Sequence, residues 1–194
     1  MIARLAASLL AATALAAGAA GPVAFVSDLK GNATIEGNGS LAFLAELAPG
    51  TRLLLGTGAK VSVTYGASGA EFVLGGPGEF AVGPDEVKST RGTAPTRRTV
   101  QVMPDAQSIA KVSRTAHAGL RMRGLAPKPA GATTPSPEAR ARLEKSRASA
   151  KTFSERVMHA VLLQEAGATT EARDAWAALA RERPDLPELA ALAK

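Results

Sequence analysis

Ser108-Ile109-Ala110-Lys111 places a hydroxyl and an amine three residues apart. This is the Ser-x-x-Lys spacing of acyl-transferring enzymes in which the serine is the nucleophile. Such a site also needs Ser-Asp-Asn and Lys-Thr-Gly elements. Here Ser27-Asp28 runs into Leu29, and Lys151-Thr152 into Phe153, so the match is read as chance. No Gly-x-Ser-x-Gly elbow occurs either. The two histidines, His117 and His159, fall in different expected domains, and the chain has no cysteine. Thiolate metal sites, disulfides and lipid attachment through cysteine are thereby excluded. Neither a catalytic residue nor a metal or cofactor is expected, and the chain reads as a non-enzyme.

Charge is the next candidate for chemistry. The net charge of +6 is concentrated in the middle: residues 91–151 hold thirteen Lys/Arg against three Asp/Glu. The flanking spans, 22–90 and 152–194, are both net acidic. Arg97, Arg98, Arg121 and Arg123 are the candidate anion-binding residues. The leader argues for anions met outside the cytoplasm. Residues 1–19 carry Arg4, an apolar run from Leu5 to Ala16 and the small-x-small site Ala17-Gly18-Ala19, the pattern of a cleavable signal peptide. The run is shorter than the roughly 20 residues of a membrane-spanning helix, and no second apolar run approaches that length. The expected product is periplasmic or secreted, cleaved near Ala19. Anionic polysaccharide or lipid head groups are candidate partners. Nucleic acid is not, because the cations are dispersed and lack interleaved aromatics.

The element that must position these residues is Leu47 to Val82. Val61, Val63 and Tyr65 alternate with Lys60, Ser62 and Thr64, the period of a half-buried strand. Phe72 with Leu74, and Phe80 with Val82, repeat the pattern after glycine-rich turns. Ala24 with Val26, Ala33 with Ile35, and Leu53 with Leu55 add further strands, and Gly37-Asn38-Gly39 reads as a hairpin turn. Gly37-x-Gly39-x-x-Ala42 has the outline of a dinucleotide loop, but the alternation of Leu41, Phe43, Ala45 and Leu47 predicts a strand where a helix would be required. Short glycine-punctuated strands predict a mainly β fold: a sandwich, barrel or solenoid. Val100 and Val102 resume the alternation. From Ala110 to Met122 apolar residues occupy the even positions, broken only by Arg114, and predict one more strand with His117, Arg121 and Arg123 on its exposed face. Cations there suit either an anion-binding face or a guarded sheet edge.

Leu47, Gly50, Leu53, Thr57, Gly58, Val61, Val63, Gly69, Leu74 and Pro77, with the closing Leu120-Arg121-Met122-Arg123-Gly124, resemble the FecR-like domain. That family is named for the envelope regulator of ferric dicitrate uptake. Regulators of that type carry a cytoplasmic segment and a membrane helix ahead of the domain, where this chain has a leader. The resemblance implies a non-catalytic β-rich sensing or interaction module outside the cytoplasm, spanning 22–124, and a role in signalling or protein binding.

Residues 125–137 hold four prolines among small residues and predict a semi-rigid linker. Ser136-Pro137-Glu138 opens a polar helix to about Lys151 with Ser as N-cap and Pro at the first helical position. Phe153, Val157, Ala160 and Val161 then mark one apolar helical stripe, and Ala172, Ala175, Trp176 and Leu179 a second beyond Gly167. Pro184 ends this hairpin and Pro187 opens a short last helix. The spacing over 153–186 resembles a single tetratricopeptide repeat, with Arg156 where that family favours a large apolar residue. One repeat cannot cover its own apolar face. The hairpin must dock on the β-domain, self-associate or take a partner helix, and Val157, Val161, Trp176 and Leu179 are the candidate protein-contact residues.

Overall fold

The structure, a computed structural model, describes residues 21–121 and 135–194, with the backbone alone at 118–121. The expected leader, Arg123 and all but the end of the expected linker lie outside the described residues. Among the described residues ten strands form two antiparallel sheets. In chain order they are β1 Ala24–Lys30, β2 Ala33–Ile35, β3 Gly39–Ser40, β4 Glu46–Leu47, β5 Arg52–Leu55, β6 Lys60–Tyr65, β7 Ala70–Gly75, β8 Gly78–Val82, β9 Val87–Arg91 and β10 Thr96–Thr99. One sheet runs β10-β7-β6-β1-β4 and the other β3-β2-β5-β8-β9. Val26, Val61, Val63, Tyr65, Phe72 and Leu74 of the first face Leu53, Leu55, Phe80 and Val82 of the second, and together they form the sandwich core. This is the β-sandwich among the architectures the glycine-punctuated strands allow. The hairpin at Gly37-Asn38-Gly39 forms, with Ile35 opposite Gly39.

Helices α1 Ala106–Arg121, α2 Pro137–Ser149, α3 Phe153–Glu165, α4 Thr169–Glu182 and α5 Pro187–Leu192 make a third layer over the first sheet. Ser136 caps α2 as the sequence predicts, its Oγ accepting from the Ala139 N–H at 3.2 Å. Thr152 and Glu155 form a reciprocal capping box on α3. No helix among the described residues is long and apolar enough to cross a membrane.

Four expectations need correcting. The alternation from Ala110 is helix α1, not a strand. Asp105 accepts from the Ser108 N–H at 2.7 Å and hydroxyl at 2.9 Å, capping the first turn. The buried positions Ile109, Val112, Ser113 and Ala116 then follow the helical spacing of three and four. The predicted strand through Leu41 to Leu47 is reduced to Glu46–Leu47. Leu44 adopts φ 59°, which breaks the extended run and sends Phe43 and Leu44 into the helical layer while Leu41 and Leu47 stay in the sandwich. The last strand stops at Thr99, and Val100 and Val102 are buried beyond it. Ser62 and Thr64, expected to face solvent, are buried because the helical layer covers their side of the sheet. The Thr64 hydroxyl is paired there with that of Ser27, 2.8 Å away, and Ser27 donates at 3.3 Å to the Ser62 backbone carbonyl.

Candidate functional site

The four residues singled out for protein contact come together, but under cover. Val157, Val161, Trp176 and Leu179 are between 0% and 4% exposed. They share one cluster with Phe25, Phe43 and Leu44 of the β-domain and with Ile109 and Val112 of α1. Of the three ways to cover the hairpin, docking is the one observed, and α1 and α5 complete the cover. A partner protein does not reach these side chains in this fold. The Trp176 indole N–H donates to Gln164 Oε1 at 3.3 Å, satisfying its only polar atom.

The expected cations do not converge. Arg97 lies opposite Phe72 and Arg98 opposite Glu71 on the edge strand β10. As successive strand residues they leave opposite faces of the sheet. Arg121 is the last residue of α1, not a strand residue in line with them. On β9, in the other sheet, Lys88 Nζ is 3.0 Å from Glu86, and Arg91 is 3.4 Å from Glu79. Ser108 gives its hydroxyl to Asp105 rather than facing Lys111. Hydrogen bonds from its neighbours, chiefly the Ser108 N–H, hold the Asp105 carboxyl below its ordinary range. His117 Nδ1 is 3.5 Å from Ser113 Oγ, whose proton is donated to the Leu44 carbonyl at 2.8 Å. Among the described residues no three His, Asp or Glu side chains are grouped as metal ligands.

One further candidate surface, open among the described residues, carries no signal in the expectations above. α2 and α4 flank α3 and leave a groove of about 940 Å³ over it. Leu163, with Leu143 and Ala175 packed alongside, belongs to a small apolar cluster of its own, which meets the core of the helical layer through Ala175. Arg140, Glu144 and Arg147 of α2 line one wall, and Glu171 and Asp174 of α4 the other. His159 also lines it, half-buried, its Nδ1 3.3 Å from Ser146 Oγ. Burial, and then the charge of Arg147, push its pKa below the ordinary imidazole value. No family model, curated protein or solved structure matches this chain.

Other charges on the same three helices are paired. Arg142 reaches Glu165 at 2.5 Å and also donates to the Met103 carbonyl. Arg156 binds Glu182 through both terminal nitrogens, at 2.6 and 2.8 Å. That pair balances the charge of Arg156 at the start of α3. By contrast, none of the five charged groove residues enters an ion pair among the described residues. The signal available in sequence was α2 itself, a polar helix placed beside an apolar hairpin.

Proposed function

We propose that the chain is an exported, non-enzymatic FecR-like module that works in the bacterial cell envelope by binding a protein, as a sensing or regulatory part. What supports this reading is the placement of the residues that carry the resemblance. Leu47, Leu53, Val61, Val63 and Leu74 are core side chains of the sandwich. Gly50, Gly58 and Gly69 sit at turns with φ of 88°, 71° and 67°, a region that glycine enters without steric cost. A pattern of turn glycines and core aliphatics specifies a scaffold, and on such a scaffold function lies in its surfaces.

The test is a reporter enzyme active only outside the cytoplasm, fused after Lys194. Activity is expected from the full chain and not from one lacking residues 1–19. An inactive full-length fusion would refute export. An alternative, an envelope scaffold holding anionic polymer or lipid through the basic middle segment, has less behind it, since Arg97 and Arg98 diverge and Arg91 is paired with Glu79.

A further inference from the structure

We infer that the groove between α2 and α4 seats an amphipathic helix of a partner protein, one with an apolar stripe between a basic flank and an acidic flank. This rests on the reading of the chain as a module that binds protein, and is independent of its export. The volume of about 940 Å³ is close to that of two turns of helix, roughly 850 Å³ for a cylinder about 10 Å wide and about 11 Å long. Leu143 and Leu163 of the floor belong to neither large core, and Leu143 is only half-buried, so covering them would remove further apolar surface from water.

The walls choose the partner. On α4 both charges are acidic, Glu171 and Asp174. On α2 two arginines, Arg140 and Arg147, outnumber Glu144. Ion pairs occupy Arg142, Glu165, Arg156 and Glu182 on the same three helices, yet the groove charges have no such partner among the described residues. A helix lying along α3 would set cations against α4 and carboxylates against α2. Such complementarity contributes more to selectivity than to raw affinity. A uniformly acidic helix would be repelled by the α4 wall, and that repulsion is part of the discrimination.

The probes are two end-blocked synthetic helical peptides with the same leucine–alanine stripe, one with lysine and glutamate flanks and one with glutamate on both. Binding to the full chain is followed by fluorescence anisotropy. The mixed-flank peptide is expected to saturate, at least tenfold tighter than the all-acidic one. In the double variant Glu171→Lys, Asp174→Lys the order should reverse. Both positions are exposed, and unchanged Trp176 emission would show the variant folded. The inference is overturned if neither peptide saturates on the folded protein, or if the preference survives the charge reversal. Sedimentation showing a dimer that the double variant dissociates would also overturn it, assigning the groove to a second copy. Any of these outcomes leaves the export reading standing, because the fusion assay alone decides that.

Discussion

The guanidinium of Arg183, at the end of α4, binds the carboxylate of Asp28 on β1, 155 residues earlier in the chain. It also donates to the Leu29 carbonyl, stacks 5.1 Å above the Phe153 ring and pairs with Asp185 at 2.8 and 2.9 Å. Asp28 is turned toward it by a register shift in β1, between Val26 opposite Val63 and Asp28 opposite Ser62. A bulge of this kind redirects the side chains that follow it. The layer contact therefore combines an apolar cluster with one directional ion pair.

Arg183→Met is expected to lower stability by about 1.5–3 kcal/mol, the range for hydrogen bonds to charged groups. Arg183→Lys should recover little, because an ammonium cannot span two acceptors as the planar fork does. Denaturant unfolding of the three proteins checks both statements. Equal midpoints would mean that the apolar cluster alone holds the layers.

Trp176→Ala is expected to destabilise by about 3–5 kcal/mol, as large aromatic truncations in cores do. Trp176 is 1% exposed and the only tryptophan, so native emission should be blue-shifted and move to the red on unfolding. A surface contact residue would show neither effect.

Tyr65 offers a clean titration because it is the sole tyrosine. Burial first, and then the charges of Asp85 and Glu86, push its hydroxyl up to about 12, while its hydrogen bond to the Gly83 carbonyl at 3.0 Å is formed by the neutral phenol. The unfolded chain releases this proton near 10, so stability is full below pH 10 and falls as pH rises toward 12. Absorbance at the phenolate band should give a native midpoint near 12 and an unfolded one near 10.

His159 works in the opposite direction of pH. Its pKa is depressed in the fold, so the unfolded chain binds the proton more tightly. Stability is then full above the ordinary value of 6.5 and declines as pH falls below it toward the depressed folded pKa. His159→Gln should flatten that part of the pH–stability curve. An unaltered slope would place the titrating group elsewhere.

Gly76→Ala is expected to cost several kcal/mol or prevent folding, since a Cβ there would sit 2.1 Å from the Gly56 carbonyl oxygen. Gly75→Ala, with nothing within 4 Å of its Cβ, should stay within about 1 kcal/mol of the parent. Circular dichroism and thermal melting distinguish the two.

Local patterns were enough for much of this molecule. Alternating Val61, Val63 and Tyr65, the Asn38-Gly39 turn and the Ser136-Pro137 helix start each depend on a few neighbouring residues, and each forms as read. The stripe through Val157, Val161, Trp176 and Leu179 was also legible as a face that needed cover. What covers it was not, because Phe25, Phe43 and Leu44 lie more than a hundred residues earlier and their facing depends on a left-handed Leu44. The same long-range cover buries Ser62 and Thr64, whose sequence said solvent. It also decides α1, where small alanines fit either period and the choice falls to Asp105 as a cap and to the helices packed on Ile109, Val112 and Ala116. The groove came last of all, since its walls are polar helix faces that carry no apolar signal and meet only when α2 and α4 settle on either side of α3. Periodicity is fixed by the backbone within a few residues, whereas which face meets solvent is fixed by whatever distant surface arrives to exclude the water.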